Sequence, residues 1–152
     1  MGDWPDPQIS ASFVSAKEQL IQMLKEYPAI DESKVTWGKG PLDVGRTQIA
    51  VGDVRAKQTT SNFGSGRREE VMQMTVTVTA SGAALDGVEP LTRAVGEIEG
   101  HIAAALRKGP GDPTLRSRVR TALIVEEDLK ELEQGDQFEA RLTLKIETRN
   151  RI

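Results

Sequence analysis

The stretch Gly135-Asp-Gln-Phe-Glu-Ala-Arg-Leu-Thr-Leu-Lys-Ile-Glu-Thr-Arg149 decides the fold. Phe138, Ala140, Leu142, Leu144 and Ile146 alternate with Gln137, Glu139, Arg141, Thr143, Lys145 and Glu147. In a strand, successive side chains point to opposite faces, so this segment reads as a strand with one apolar and one polar face, entered through the Gly135-Asp136 turn. A second strand of the same kind begins near Glu70. There Met72, Met74, Val76, Val78 and Ala80 point one way, and Gln73, Thr75, Thr77 and Thr79 the other. Strands with one apolar face need a covering layer.

Two helical patterns supply that layer. From Ser12 to Tyr27, the residues Phe13, Ala16, Leu20, Met23, Leu24 and Tyr27 recur at spacings of three and four, and Pro28 ends the run. Val14 and Ile21 lie off that stripe and form a second apolar edge. From Val88 to Lys108, the residues Val88, Leu91, Val95, Ile98, Ile102, Ala105 and Leu106 form one stripe, closed by Gly109-Pro110. Shorter strands are expected at Lys34–Trp37 and Thr47–Lys57, and another where Val119, Leu123 and Val125 share a face. The polar run 58–70 reads as a mobile loop and residues 1–11, with two prolines, as a flexible lead-in. The expected fold is α+β, in the order α-β-β-β-α-β-β. It has about five mostly antiparallel strands, both helices on one face and a threonine-rich, charged face opposite. At 152 residues the chain is expected to form a single domain, 1–152.

Composition narrows the chemistry. Twenty Lys and Arg against twenty-three Asp and Glu give a net charge of −3, which excludes a strongly basic nucleic-acid wrapper. With no cysteine and one histidine, thiolate sites, disulfides and multi-histidine metal sites are excluded. No apolar run approaches the ~20 residues that span a bilayer, so no membrane partner is expected. The first residues have neither a basic nor an apolar signal region, so no signal peptide is expected and the domain reads as soluble and cytosolic.

The motifs that touch chemistry are weak. Gly40-Pro-Leu-Asp-Val-Gly45-Arg46-Thr47 nearly matches a phosphate-binding loop, but Arg replaces Lys and the loop leads into a strand instead of opening a helix. His101 lies four residues after Glu97 with no third ligand, and reads as an imidazole on the flank of a helix. No serine stands in a nucleophile-elbow pattern. Catalytic, cofactor and metal residues are therefore expected to be absent.

Charge patterning points to surfaces instead. Glu126, Glu127, Asp128, Glu131, Glu133 and Asp136 crowd eleven residues that hold one Lys130, and read as a solvated hairpin tip or an electrostatic docking surface. Arg116, Arg118 and Arg120 recur at period two, and Arg141, Lys145, Arg149 and Arg151 form a second basic set. Basic rows and an acidic hairpin in a nearly neutral domain fit complementary contacts between copies, and equally a solvated charged surface. The stretch from Arg55 to Glu70 contains Arg55, Lys57, Arg67, Arg68 and the single aromatic Phe63. That fits a loop ordered by a partner protein at least as well as a nucleic-acid surface. Gly96 and Gly100 align with Ala103 away from the apolar stripe. Mid-helix glycine costs up to ~1 kcal/mol relative to alanine, so the pair calls for close approach of another backbone, from this chain or a neighbour.

Taken in order, these segments resemble the tail terminator (tail completion) proteins of long-tailed siphophages, especially those of actinobacterial hosts. The resemblance runs from the first helix and Val35-Thr36-Trp37 through Arg68-Glu69-Glu70 with its Met-Thr-Val-Thr-Val-Thr strand. It continues through the alanine-rich helix and Asp112-Pro113-Thr114-Leu115 to the last alternating strand, ending in Arg149. Arg116-Ser117 stand where such proteins commonly carry a glycine pair. The resemblance implies an α+β virion subunit forming a hexameric ring that caps the tail tube and stops its polymerisation. Its partners would be itself, the tail tube protein and the head-side connector, with DNA only as passing cargo. It would assemble in the host cytoplasm and end in the virion neck. It brings no catalytic residue and no cofactor. A head–tail adaptor or tail tube subunit is the neighbouring alternative, and a small α+β enzyme or ligand-binding domain the alternative of another class.

Overall fold

The computed structural model describes residues 12–38, 47–60, 68–83, 87–107, 111–115 and 121–151. The elements run α1 (Ser12–Glu26), β1 (Val35–Trp37), β2 (Thr47–Thr60), β3 (Arg68–Ala83), α2 (Glu89–Ala105), β4 (Thr121–Gln134) and β5 (Gln137–Arg151). This is the expected α+β order. The strands form one sheet in the spatial order β1-β2-β3-β5-β4, antiparallel except for the β1·β2 pair.

The centre of the sheet is the β3·β5 ladder, unbroken from Glu69↔Arg151 to Ala83↔Gln137. It sets Met74 beside Ile146, Val76 beside Leu144, Val78 beside Leu142 and Ala80 beside Ala140, all buried on one face. From β2, Ile49 and Val51 join that face through Val78 and Val76. The helices cover it, α1 over β1 and β2, α2 over β3 and β5. Ala16, Leu20, Met23 and Leu24 are buried from α1, and so is Ile21, the off-stripe edge; α1 touches α2 as well as the sheet. From α2, Val95, Ile102 and Ala105 are buried. Lys17 lays its ammonium 4.3 Å from the centre of the Trp37 ring, tying α1 to the short β1, and partial burial lowers its pKa.

Four details depart from the sequence expectations. The loop expected over 58–70 is strand at both ends: Gln58↔Glu70, Thr59↔Glu69 and Thr60↔Arg68 pair, and only 61–67 lies outside the described residues. Polar residues form this ribbon because its backbone bonds satisfy each other whatever the side chains. Leu123 and Val125 do not share an inward face. A bulge between Ile124 and Glu126 inserts one residue against β5, so Ala122 and Ile124 turn to the core while Leu123 and Val125 stand out. Val119 lies outside the described residues. The second helix ends at Ala105, before Lys108, which with Gly109 and Pro110 is also outside them. The acidic residues lie along strand β4, with Asp136 alone in the turn.

The chain leaves α2 through a tight reversal. The Gly111 amide donates to the Arg107 carbonyl at 2.8 Å and the Asp112 amide to that of Ala105 at 2.9 Å. One Asp112 carboxylate oxygen then accepts from the Thr114 amide at 2.8 Å and the Thr114 hydroxyl at 2.5 Å, and Leu115 follows in the left-handed region, fully buried. A Cβ on Gly111 would stand 1.9 Å from the Ala105 carbonyl oxygen, so only glycine fits. Gly111→Ala should therefore lower stability by about 1–3 kcal/mol. Thermal melting of the two proteins checks this, and an unchanged melting point would refute the reading.

Candidate assembly surface

β4 bonds to β5 along one flank, and its other flank is unpaired among the described residues. A free edge of fourteen residues presents a row of open amides and carbonyls and is a ready template for another strand. Its chemistry is mixed. Glu126, Glu127, Asp128, Glu131 and Glu133 are all exposed on it. The bulge distributes them. Glu126 and Asp128 lie on the face away from the helices, where Glu126 pairs with Lys145 at 3.4 Å, while Glu127, Glu131 and Glu133 lie on the helix face. Among these acids stand three large apolar side chains: Leu123 is 51% exposed, Val125 44% and Leu129 43%. Two such edges meeting would set acid against acid, so the edge resists pairing with its own copy and favours a basic partner.

Between β4 and α2 runs a groove with two recesses. One, of about 530 Å³, is lined from Ala122 to Glu127 on β4 and by Glu99, Ala103, Leu106 and Arg107. The next, of about 320 Å³, is lined by Thr92, Val95, Gly96, Glu99, Glu127, Leu129 and Leu142. Glu99 and Glu127 belong to both. The Glu99 carboxyl shares a hydrogen bond with that of Glu127. This bond, partial burial and the Glu127 charge together hold its pKa above the usual glutamate range, against the opposing pull of Arg107.

Gly96 faces this groove, and a Cβ on either Gly96 or Gly100 would meet nothing within 4 Å. Among the described residues no backbone of this chain makes the close approach expected for them.

On the opposite side of the sheet, Arg55 and Lys57 are exposed on β2, and neither enters an ion pair among the described residues. Both point away from the helices, through their partners Gln73 and Val71 on β3. The Arg68 backbone opens β3, and Arg67, Arg116, Arg118 and Arg120 fall outside the described residues. Among the described residues, the expected acidic set thus lies along β4 at one end of the sheet, and Arg55 and Lys57 lie on β2 toward the other. Most of the phosphate-loop-like stretch also lies outside the described residues, but Thr47 at its end opens strand β2, not a helix. His101 is partly buried on the flank of α2, its Nε2 3.8 Å from a Glu97 carboxylate oxygen and its ring 6.4 Å from that of Tyr27. Among the described residues no three His, Asp or Glu side chains are placed to hold a metal ion, and no helix is long and apolar enough to cross a membrane. Sequence reasoning missed Leu129, Glu99 and the exposure of Leu123 and Val125. The bulge at Val125 carries no glycine or proline to announce it.

Two predictions follow from this geometry. Gly96→Ala and Gly100→Ala fill open space and improve helix propensity, so each should raise the melting point of the isolated chain, by up to ~1 kcal/mol of stability. A fall measured by thermal denaturation would mean that something already packs there. Glu99 holds its proton more tightly folded than unfolded. The folded state therefore binds more protons, and stability should fall as pH rises from the ordinary glutamate range through the raised value. Glu99→Gln should flatten that part of the stability–pH curve, measured by denaturant unfolding at a series of pH values.

No family model and no curated protein matches the chain. Among solved structures, it is similar to a chain from the virion of a native gene transfer agent particle, with a TM-score of 0.53 at 11% identity. The match covers 88% of this chain and 94% of that one, and at this identity it is a likeness of fold.

Proposed function

We propose that this chain is a structural protein of a phage-like virion and acts as a tail terminator. Copies close into a hexameric ring on the finished tail tube, end its polymerisation and offer a face to the head-side connector, with DNA passing through the ring. One observation carries the reading: the likeness of fold, over nearly the whole of both chains, to a chain of the gene transfer agent virion. The order of elements and the resemblance to siphophage terminators, described above, support the finer assignment.

The surface chemistry is compatible with it. A ring is built from heterologous contacts, in which one patch meets a different patch on the next copy and the rotation closes. A sheet with an acidic edge at one end and exposed Arg55 and Lys57 at the other carries two unlike patches of that kind. A net charge of −3 gives passing DNA no strong hold.

Light scattering of the purified chain, alone and with tail tubes, tests the proposal together with negative-stain imaging. The expected result is a hexameric ring, or a cap at one end of each tube. A monomer that ignores the tube overturns the reading. Binding to the connector with no effect on tube length would move the chain to the head–tail adaptor class.

A further inference from the structure

We infer that the free edge of β4 is completed by the β2 edge of a second copy of this chain, antiparallel, with Arg55 opposite Asp128 and Lys57 opposite Glu126. This rests on the ring reading above and specifies its contact.

Both edges are open where the contact needs them. The β4 flank is unpaired, and the β2 flank is covered by β1 only at Ile49–Val51, leaving it open from Gly52 onward among the described residues. Strand direction follows from the ladder. β2 and β5 run one way, β3 and β4 the other. Copies related by rotation about an axis along the strands keep these directions, so β4 of one copy meets β2 of the next antiparallel.

Charge then selects the register. Arg55 and Lys57 are two residues apart on the face away from the helices, as are Glu126 and Asp128. Continuing the sheet with its faces aligned brings these pairs together, and the same register sets the partly buried Val54 beside Leu129 on the helix face. A shift of two residues in one direction puts Arg55 opposite Lys130, and in the other, past the bulge, puts Lys57 opposite Leu123, so neither neighbouring register keeps both charge pairs. β1 limits the contact. It occupies the flank at Val51, so pairing stops near Val54 and the tip of the neighbour's β4–β5 hairpin must leave the sheet plane beside the exposed Trp37.

The absence of cysteine makes the test direct. In the full chain, Arg55→Cys with Asp128→Cys should give a ladder of disulfide-linked multimers on oxidation, because paired positions fall within the ~4.4–6.8 Å Cα separation that a disulfide needs. Arg55→Cys with Lys130→Cys, shifted by two residues, should give none. Without cysteines, Glu126→Lys with Asp128→Lys should weaken association by at least about tenfold at low salt, and adding Arg55→Glu with Lys57→Glu to the same chain should restore it. Multimers of unchanged size by light scattering with no ladder would overturn the edge contact and leave the ring reading standing, as would equal ladders from both cysteine pairs. A monomer at every salt concentration, with no cap on the tube, would overturn both.

Discussion

The ladder between β3 and β5 is the constraint on which everything else in this chain depends. It runs without a bulge over the full length of both strands and lines up two alternating patterns so that every apolar residue falls on one side. A slip of one residue would bring Thr75, Thr77, Arg141 or Lys145 into the core, so the register is held by the same burial that it creates. The helices take their places from it: α2 needs the Met74-to-Ala80 face for Val95 and Ile102, and α1 needs the β1 and β2 extension of that face for Leu20 and Leu24.

Placing β5 at the centre has a consequence for the edges. β5 lies inside the sheet, so β4, which precedes it, is pushed to the rim with its other flank unpaired among the described residues. At the other rim the three residues of β1 cover only a fraction of the fourteen in β2. The rims differ in charge, one crowded with carboxylates and the other carrying Arg55 and Lys57. Like edges repel and unlike edges attract, so the sheet has a built-in polarity from one end to the other. A polarity of that kind suits head-to-tail association and disfavours two-fold pairing.

How far the sequence disclosed this depended on the period of each signal. The apolar alternation of β3 and β5 and the stripes of both helices were legible because each repeats several times, and burial follows them nearly residue for residue. The acidic set was legible as a surface, and Arg55 and Lys57 as exposed cations. Strand order was not legible: nothing in the chain from Thr121 to Arg149 says that its second strand, and not its first, will pair with β3. The bulge at Val125 was hidden for a related reason. Its residues are ordinary strand formers, and only the competition between the β5 register and the core shows which of Leu123, Ile124 and Val125 turns inward. The glycines of α2 were visible as an anomaly, and among the described residues a Cβ at either would meet nothing within 4 Å.

The mixture of acids and apolar residues on β4 also bears on which contact the edge accepts. A continuous apolar edge would associate with any other apolar edge, whereas Glu126, Glu127 and Asp128 stand between Val125 and Leu129 and keep the edge hydrated. Short-range apolar contact is then favoured where a basic edge neutralises those carboxylates, so charge selects the partner and burial sets how long the contact lasts. Glu99 on α2 and Glu127 on β4 face each other across the groove, and the raised pKa of Glu99 records how close the acidic edge comes to the helix.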